Sequence, residues 1–185
     1  MDLGGKLLIA MPGMGDPRFA RSVILVCAHS DEGAMGLIVN KTMADLSFSK
    51  LLEQIGIVRK DSGRDIRVHF GGPVERGRGF VLHSPDYRAD GGGTMDIPGD
   101  LSVTATQDIL GALARGNGPD AALLALGYSG WGPGQLESEI ARNDWLTTDP
   151  GKDLIFAAED KPKWAGALRH MGIDPFSLSA AAGRA

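Results

Sequence analysis

The 185-residue sequence has a single cysteine, Cys27, so no disulfide can form within the chain. An unpaired thiol inside the apolar run SVILVCAH suits a reducing compartment. Long hydrophobic runs are missing as well: the longest is about six residues, against the ~20 that a helix needs to cross a bilayer. The opening MDLGGKLLIAMPG has an apolar stretch too short for a secretory signal core, and no small-residue cleavage pattern follows it. A cytoplasmic protein with no membrane contact is therefore expected.

Basic clusters are equally scarce. The densest, RKDSGRDIR at 59–67, is interrupted by acids, and the net charge is −4. A duplex reader carries a basic stripe that neutralises phosphates and releases counterions, so direct nucleic-acid binding is not expected. Histidines 29, 69, 83 and 170 never stand at i, i+4 or in a Cys/His spacing, which leaves no metal motif. No P-loop of the form G-x-x-x-x-G-K-[ST] occurs, and no cofactor is expected.

What remains is an ordinary globular composition, 43% hydrophobic and 23% charged, enough for one core. One domain is expected over 1–175, with a small-residue C-terminal tail at 176–185. KLLIAM (6–11), SVILVCA (22–28), MGLIV (35–39) and AALLAL (121–126) are short apolar runs closed by breakers, which predicts strands. IRVHF (66–70) and LSVTAT (101–106) alternate as half-solvated strands do. GFVLH (79–83) is expected to pair with 66–70 as a long-looped hairpin, DLIFAA (153–158) to be a last strand, and DYRADGGGT (86–94) to be a mobile loop.

Four helices are expected. One is capped by Ser47 and stopped at Gly56, one starts at Thr106 and stops at Gly116, one runs from Pro133 through Asn143, and one runs from Pro162 to Gly172. Strands in runs with helices interspersed irregularly predict an α+β fold on a largely antiparallel or mixed sheet.

Three stretches suggest a site. GYSGW (127–131) approximates the nucleophile elbow G-x-S-x-G, but Trp131 stands where a small residue is needed, so Ser129 reads better as a turn serine. The glycines there and in HFGGPV (69–74) permit either sharp turns or close backbone approach. His69 and His83 would converge if their strands paired, giving an acid–base pair. HSDEG (29–33) reads as a turn whose acids could accept a cation.

MPGMGDPRFARSVILVCAHSDEGAMGLIVNK (11–41), GGPVERGRGFVLH (71–83) and LGYSGWGPGQLESEIARNDWL (126–146) resemble, in order, the signature blocks of the AlgH/YqgE family of small bacterial proteins. The resemblance extends from Gly5 to Pro175. It implies an α+β fold whose sheet curls toward a partial barrel with helices around it, and a cytosolic location. It assigns no reaction. The family's older link to transcriptional regulation is set against an acidic chain with no helix-turn-helix pattern. Many relatives end Gly-His-Ala where this chain ends Gly183-Arg184-Ala185, so a scheme using a terminal imidazole has no counterpart here.

The leading expectation is a protein that binds a small molecule or another protein. Its surface would be built from Asn40, Lys41, Gly71, Gly72, Pro73, His83, Tyr128, Ser129, Gly130 and Trp131 on one concave face, because these lie at strand ends where bare backbone adjoins aromatics. The alternative is an enzyme using His69 or His83 as acid–base beside Ser129 or Lys41. A third reading is a regulator that binds DNA.

Overall fold

The run AALLALGYSGW forms one ten-residue strand, β8 (Ala122–Trp131), and the sheet is organised around it. The computed structural model describes residues 1–178. Preceding β8 are β1 (Leu7–Ala10), β2 (Val23–Ser30), β3 (Gly33–Ile38), α1 (Phe48–Gln54), β4 (Val68–Phe70), β5 (Val74–His83), β6 (Thr94–Ile97), β7 (Leu101–Thr104) and α2 (Asp108–Ala114). After it come α3 (Gln135–Ala141), β9 (Trp145–Thr148), α4 (Lys152–Ile155) and α5 (Lys163–His170).

The strand order is β6-β7-β5-β8-β3-β2-β1-β9, with β4 also paired to β8. Only β4 and β8 run parallel among these pairings. The fold is α+β, a curled, mostly antiparallel half-barrel with helices packed on it.

Continuous apolar runs mark strands covered on both faces. In β1, Leu7 and Ile9 enter one core with Leu25, Leu37, Leu82 and Val103, roofed by Ile155, Trp164 and Leu168. Leu8 and Ala10 face the other way, into a core with Ile24, Ile38, Trp131, Leu136 and Trp145. A third core sets α1 and α2 against Val68, Val81, Leu124 and Leu126. Each such fully buried large side chain contributes roughly 1.5–3 kcal/mol.

Local signals place the helices. Ser47 Oγ accepts from Lys50 N–H, and Gly56 has φ 75° just beyond α1. Gly116 and Gly172 stop α2 and α5 the same way, with φ 86° and 74°. Gln107, not Thr106, caps α2, and α3 begins at Gln135 after a left-handed Gly134.

Several expectations fail. Residues 66–70 and 79–83 do not form a hairpin: β4 and β5 lie on opposite sides of β8, both opposite Leu124 to Leu126. The apolar stretch at 153–158 is not a strand, because β9 already occupies the free edge of β1 and the chain turns instead into α4, a fifth helix. The stretch 86–93 is loop and turn as expected, and only its last residue, Thr94, begins strand β6, which pairs with β7. Ser129 lies inside β8 rather than at a strand-to-helix turn, so no elbow exists. Of the tail read as 176–185, residues 179–185 lie outside the described residues.

Candidate functional site

On one flank, β8 changes partner midway. Leu124 to Leu126 pair with β4, whereas Ser129 to Trp131 pair with β3. The change is made at Gly127, φ 73°, where the Gly71-Gly72 backbone crosses. A Cβ on Gly71 would stand 2.3 Å from the Gly127 carbonyl oxygen, and one on Gly127 would stand 2.3 Å from that of Gly72. Gly71 also ties the strands together, donating its N–H to Leu126 O while its carbonyl accepts from Ile38 N–H. These glycines are bare because they meet each other's backbone. Buried Ser129 completes the crossing by donating its hydroxyl to Gly71 O at 3.2 Å.

Beside this crossing lies an open hollow of about 700 Å³ walled by β2, β3, β5 and β8. Tyr128, Phe80, Met35 and Val74 supply its apolar wall, and Gly130 and Trp131 its rim. The Tyr128 ring stands edge-on to Phe80, with centroids 5.9 Å apart. Arg78 reaches the hollow from a bulge in β5 between Val74 and Gly79, its guanidinium 5.0 Å above the Phe80 ring.

At the far rim, His29 Nε2 lies 2.6 Å from Glu137 Oε1 and its Nδ1 accepts from Leu3 N–H, which makes Nε2 the protonated nitrogen. Glu137 is held below the ordinary glutamate range by a backbone hydrogen bond and by His29. The acids of the 29–33 turn, Asp31 and Glu32, are the two central residues of the β2–β3 hairpin. Sequence reasoning left out Met35, Phe80, Arg78 and His29. The apolar run MGLIV, which places Met35 in a strand, was the available signal for one of them.

The anticipated surface is thus divided. Tyr128, Gly130 and Trp131 line the hollow, Pro73 lines a smaller cleft sharing Gly130 and Trp131, and Gly71, Gly72 and Ser129 are buried beneath. Asn40 and Lys41 belong to a separate hollow of about 390 Å³ beside α5. The three stretches do not share one concave face, because the end of β3 that carries Asn40 points away from the end that pairs with β8.

His83 is elsewhere and fully buried, its Nδ1 2.7 Å from Ser84 O and its Nε2 2.8 Å from Thr104 Oγ1. Burial holds it below the ordinary histidine range. His69, also fully buried, meets Asp160 Oδ2 at 2.8 Å and Leu124 O at 3.3 Å. Because β8 separates their strands, the two imidazoles do not converge. Asp160 also accepts from Thr42 and lies 2.8 Å from Arg67 and 2.7 Å from the buried Lys163 ammonium. Burial alone would raise its carboxyl, but hydrogen bonds from His69 and Thr42 and the adjacent Lys163 ammonium outweigh that and hold it well below the carboxylate range. Among the described residues no group of three or more His, Cys, Asp or Glu is arranged to hold a metal, and no helix is long and apolar enough to cross a membrane.

Comparison with known proteins agrees with this fold. A UPF0301 protein of Cereibacter sphaeroides is 65% identical over the full length of both chains. One from Paracoccus denitrificans is 57% identical, covering 100% of this chain and 97% of its own. The solution structure of the AlgH protein from Pseudomonas aeruginosa superposes with a TM-score of 0.78 at 36% identity, covering 98% of this chain and 93% of that one. A crystal structure from Corynebacterium diphtheriae shares the fold, with a TM-score of 0.70 at 22% identity over 96% and 90% of the chains. The AlgH-like sequence pattern matches residues 7–176, and the chain belongs to the AlgH-like family.

Proposed function

We propose that this is a cytoplasmic binding protein without chemistry of its own, and that the hollow beside Tyr128 takes a flat, largely apolar small molecule. One observation carries the reading: Gly130 leaves the flank of the Tyr128 ring uncovered. A Cβ at 130 would sit 3.4 Å from Tyr128 Cε2 and 4.0 Å from Val74 Cγ2, so any larger side chain would occupy the space over the ring. Unlike Gly127, Gly130 has no left-handed backbone that would require glycine.

The hollow's size and its mixture of aromatics with a few polar groups match small-molecule sites, which run from about 300 to 1,000 Å³. Burial argues against the catalytic alternative. His69, His83 and Ser129 are all fully buried with their polar atoms bonded inside the protein, so none presents a reactive atom to a hollow. The single buried thiol supports the cytoplasmic part of the reading.

The test uses N-phenyl-1-naphthylamine, a neutral aromatic probe whose fluorescence rises in apolar surroundings. Saturable binding should weaken by about tenfold in Gly130→Leu and in Tyr128→Ala, because each removes the ring-flanked slot. Mass spectrometry of the natively purified protein should find a small molecule that Gly130→Leu loses. Probe binding that is equal in all three proteins would sink the assignment.

A further inference from the structure

Asn40 and Lys41 lie in the second hollow, which shares no lining residue with the first. We propose that this hollow, between the Ala20–Arg21 turn, Asn40–Lys41 and α5, is an anion site for the phosphate group of a soluble phosphorylated small molecule.

Arg21, Lys41, Lys161 and Arg169 all line it, and among the described residues no acidic side chain does. In a chain of net charge −4, four cations converging without an acid is a local reversal of sign. The Asp160 cluster does not offset it, since Asp160 is matched there by both Lys163 and Arg67. Among the described residues, none of the four lining cations is in an ion pair. The Lys41 ammonium bonds only the Ala20 carbonyl, at 3.0 Å.

The arrangement is held in place. Arg21 has φ 53°, a left-handed conformation that costs a non-glycine residue about 1–2 kcal/mol. Asn40 fixes that turn from both sides: its Nδ2 donates to Arg21 O at 2.9 Å and its Oδ1 accepts from Val23 N–H at 2.8 Å. The Arg21 guanidinium lies 4.8 Å above the Trp164 ring, and the Trp164 indole is anchored by donating to Ala10 O at 2.8 Å. The ring contact positions the guanidinium, and among the described residues none of its N–H groups is hydrogen-bonded, which leaves them for an acceptor. Strain retained at a position that presents a cation to a hollow is the pattern of a binding site.

The chemistry favours phosphate over carboxylate. A tetrahedral, multiply charged anion can meet several cations at once, whereas a carboxylate is satisfied by one fork. Phe176, 90% exposed at the lip, gives the organic part of the ligand an apolar rest. Burial lowers Lys41 below the ordinary lysine range, a cost that a bound anion would relieve.

The test is titration with inorganic pyrophosphate, followed by amide chemical shifts on the full-length protein. Saturable shifts should centre on Arg21, Lys41, Lys161 and Arg169. Affinity should fall by roughly tenfold or more in Arg21→Gln/Lys161→Gln and, independently, in Arg169→Gln, and should weaken with added salt. Naphthylamine binding in the first hollow should be unchanged in these variants, so failure of one assignment is separable from failure of the other. Shifts that are absent, that spread over the surface, or that persist equally in the variants would overturn the proposal. So would tight, variant-sensitive binding to phosphatidylglycerol vesicles in place of pyrophosphate, which would make the ligand a lipid headgroup.

Discussion

His69 Nε2 and Asp160 Oδ2 meet at 2.8 Å with His69 fully buried and Asp160 only 6% exposed. The same carboxylate faces Lys163, 1% exposed, whose ammonium also donates to Val39 O and Ile155 O. Asp160→Asn keeps the shape but leaves that ammonium without a counter-charge. Breaking a buried pair in this way costs about 3–5 kcal/mol, to be read as a lower urea midpoint. The acid limb should change too. The folded carboxyl lies below its unfolded value, so its contribution is full above the ordinary carboxylate range and is lost as pH falls through the folded value. In Asp160→Asn, stability should fall less steeply in acid; an unchanged acid limb would remove this group from the account.

The glycine crossing makes a sharper contrast. Gly127→Ala puts a Cβ 2.3 Å from Gly72 O at φ 73°, so either the crossing opens or β8 loses a partner. Gly130→Ala, three residues along the same strand, finds its nearest non-neighbouring heavy atom at 3.4 Å. Thermal melts should show Gly127→Ala destabilised by more than about 3 kcal/mol or unfolded, with Gly130→Ala within about 1 kcal/mol of the parent. Similar melting temperatures for the two would contradict the backbone-to-backbone account.

Much of this architecture was legible where the cause is local. Ser47 and Gly56 bracket α1 by capping chemistry, and KLLIAM and SVILVCA read as strands because both of their faces are buried. What the sequence hid is long-range. DLIFAA has strand-like composition, yet the edge it would have joined is taken by WLTT, which the left-handed Asn143, φ 62°, separates from α3. In the site, the glycines at 71, 72 and 127 announced a close approach without naming the partner, which is their own backbone. Lys41 looked like a companion of Tyr128, whereas its real neighbours are Arg21, 20 residues earlier, and Arg169, 128 residues later.

Cys27 should be inert. It lies at 4% exposure in β2, and burial pushes its thiol up to about 12. Only the thiolate reacts with disulfide reagents, so at neutral pH the native protein should release almost no thionitrobenzoate from Ellman's reagent. One equivalent should appear on unfolding in guanidinium. Rapid labelling of the native protein would mean that β2 opens readily.

His83 ends a directional chain of hydrogen bonds: Ala89 N–H donates to Thr94 Oγ1, whose hydroxyl donates to Thr104 Oγ1, whose hydroxyl donates to His83 Nε2. Protonating Nε2 would force the Thr104 hydroxyl to turn round and donate to Thr94 Oγ1, which takes the Thr94 proton out of the chain. The folded value lies below the ordinary 6.5, so the neutral ring's contribution is present above that value and is lost as pH falls through the folded one. His83→Gln should flatten the stability profile just below pH ~6.5 while leaving the deeper acid limb set by Asp160. Loss of both limbs together would show that the two regions are coupled.

Trp131 and Trp145 donate their indole N–H groups to the same oxygen, Glu139 Oε2, at 2.9 and 2.8 Å, while Oε1 accepts from Gln135. The rings meet edge-to-face 6.2 Å apart and are 7% and 3% exposed, so water has little access to either N–H. One carboxylate therefore joins the rim of the first hollow to the edge strand β9 across α3. Glu139→Ala leaves two buried donors unpaired, at about 1–3 kcal/mol each, whereas Gln135→Ala removes two solvent-exposed bonds, its donation to Glu139 Oε1 and its acceptance from Gly132 N–H, and should cost less than about 1 kcal/mol. Glu139→Gln, which keeps one carbonyl acceptor but not its charge, should fall between them. Urea midpoints give the order, and tryptophan emission reports whether the indole surroundings change. If Glu139→Ala proves no worse than Gln135→Ala, the shared oxygen does not hold this corner, and the rim of the hollow must be fixed by the packing of Leu136 and Ile24 instead.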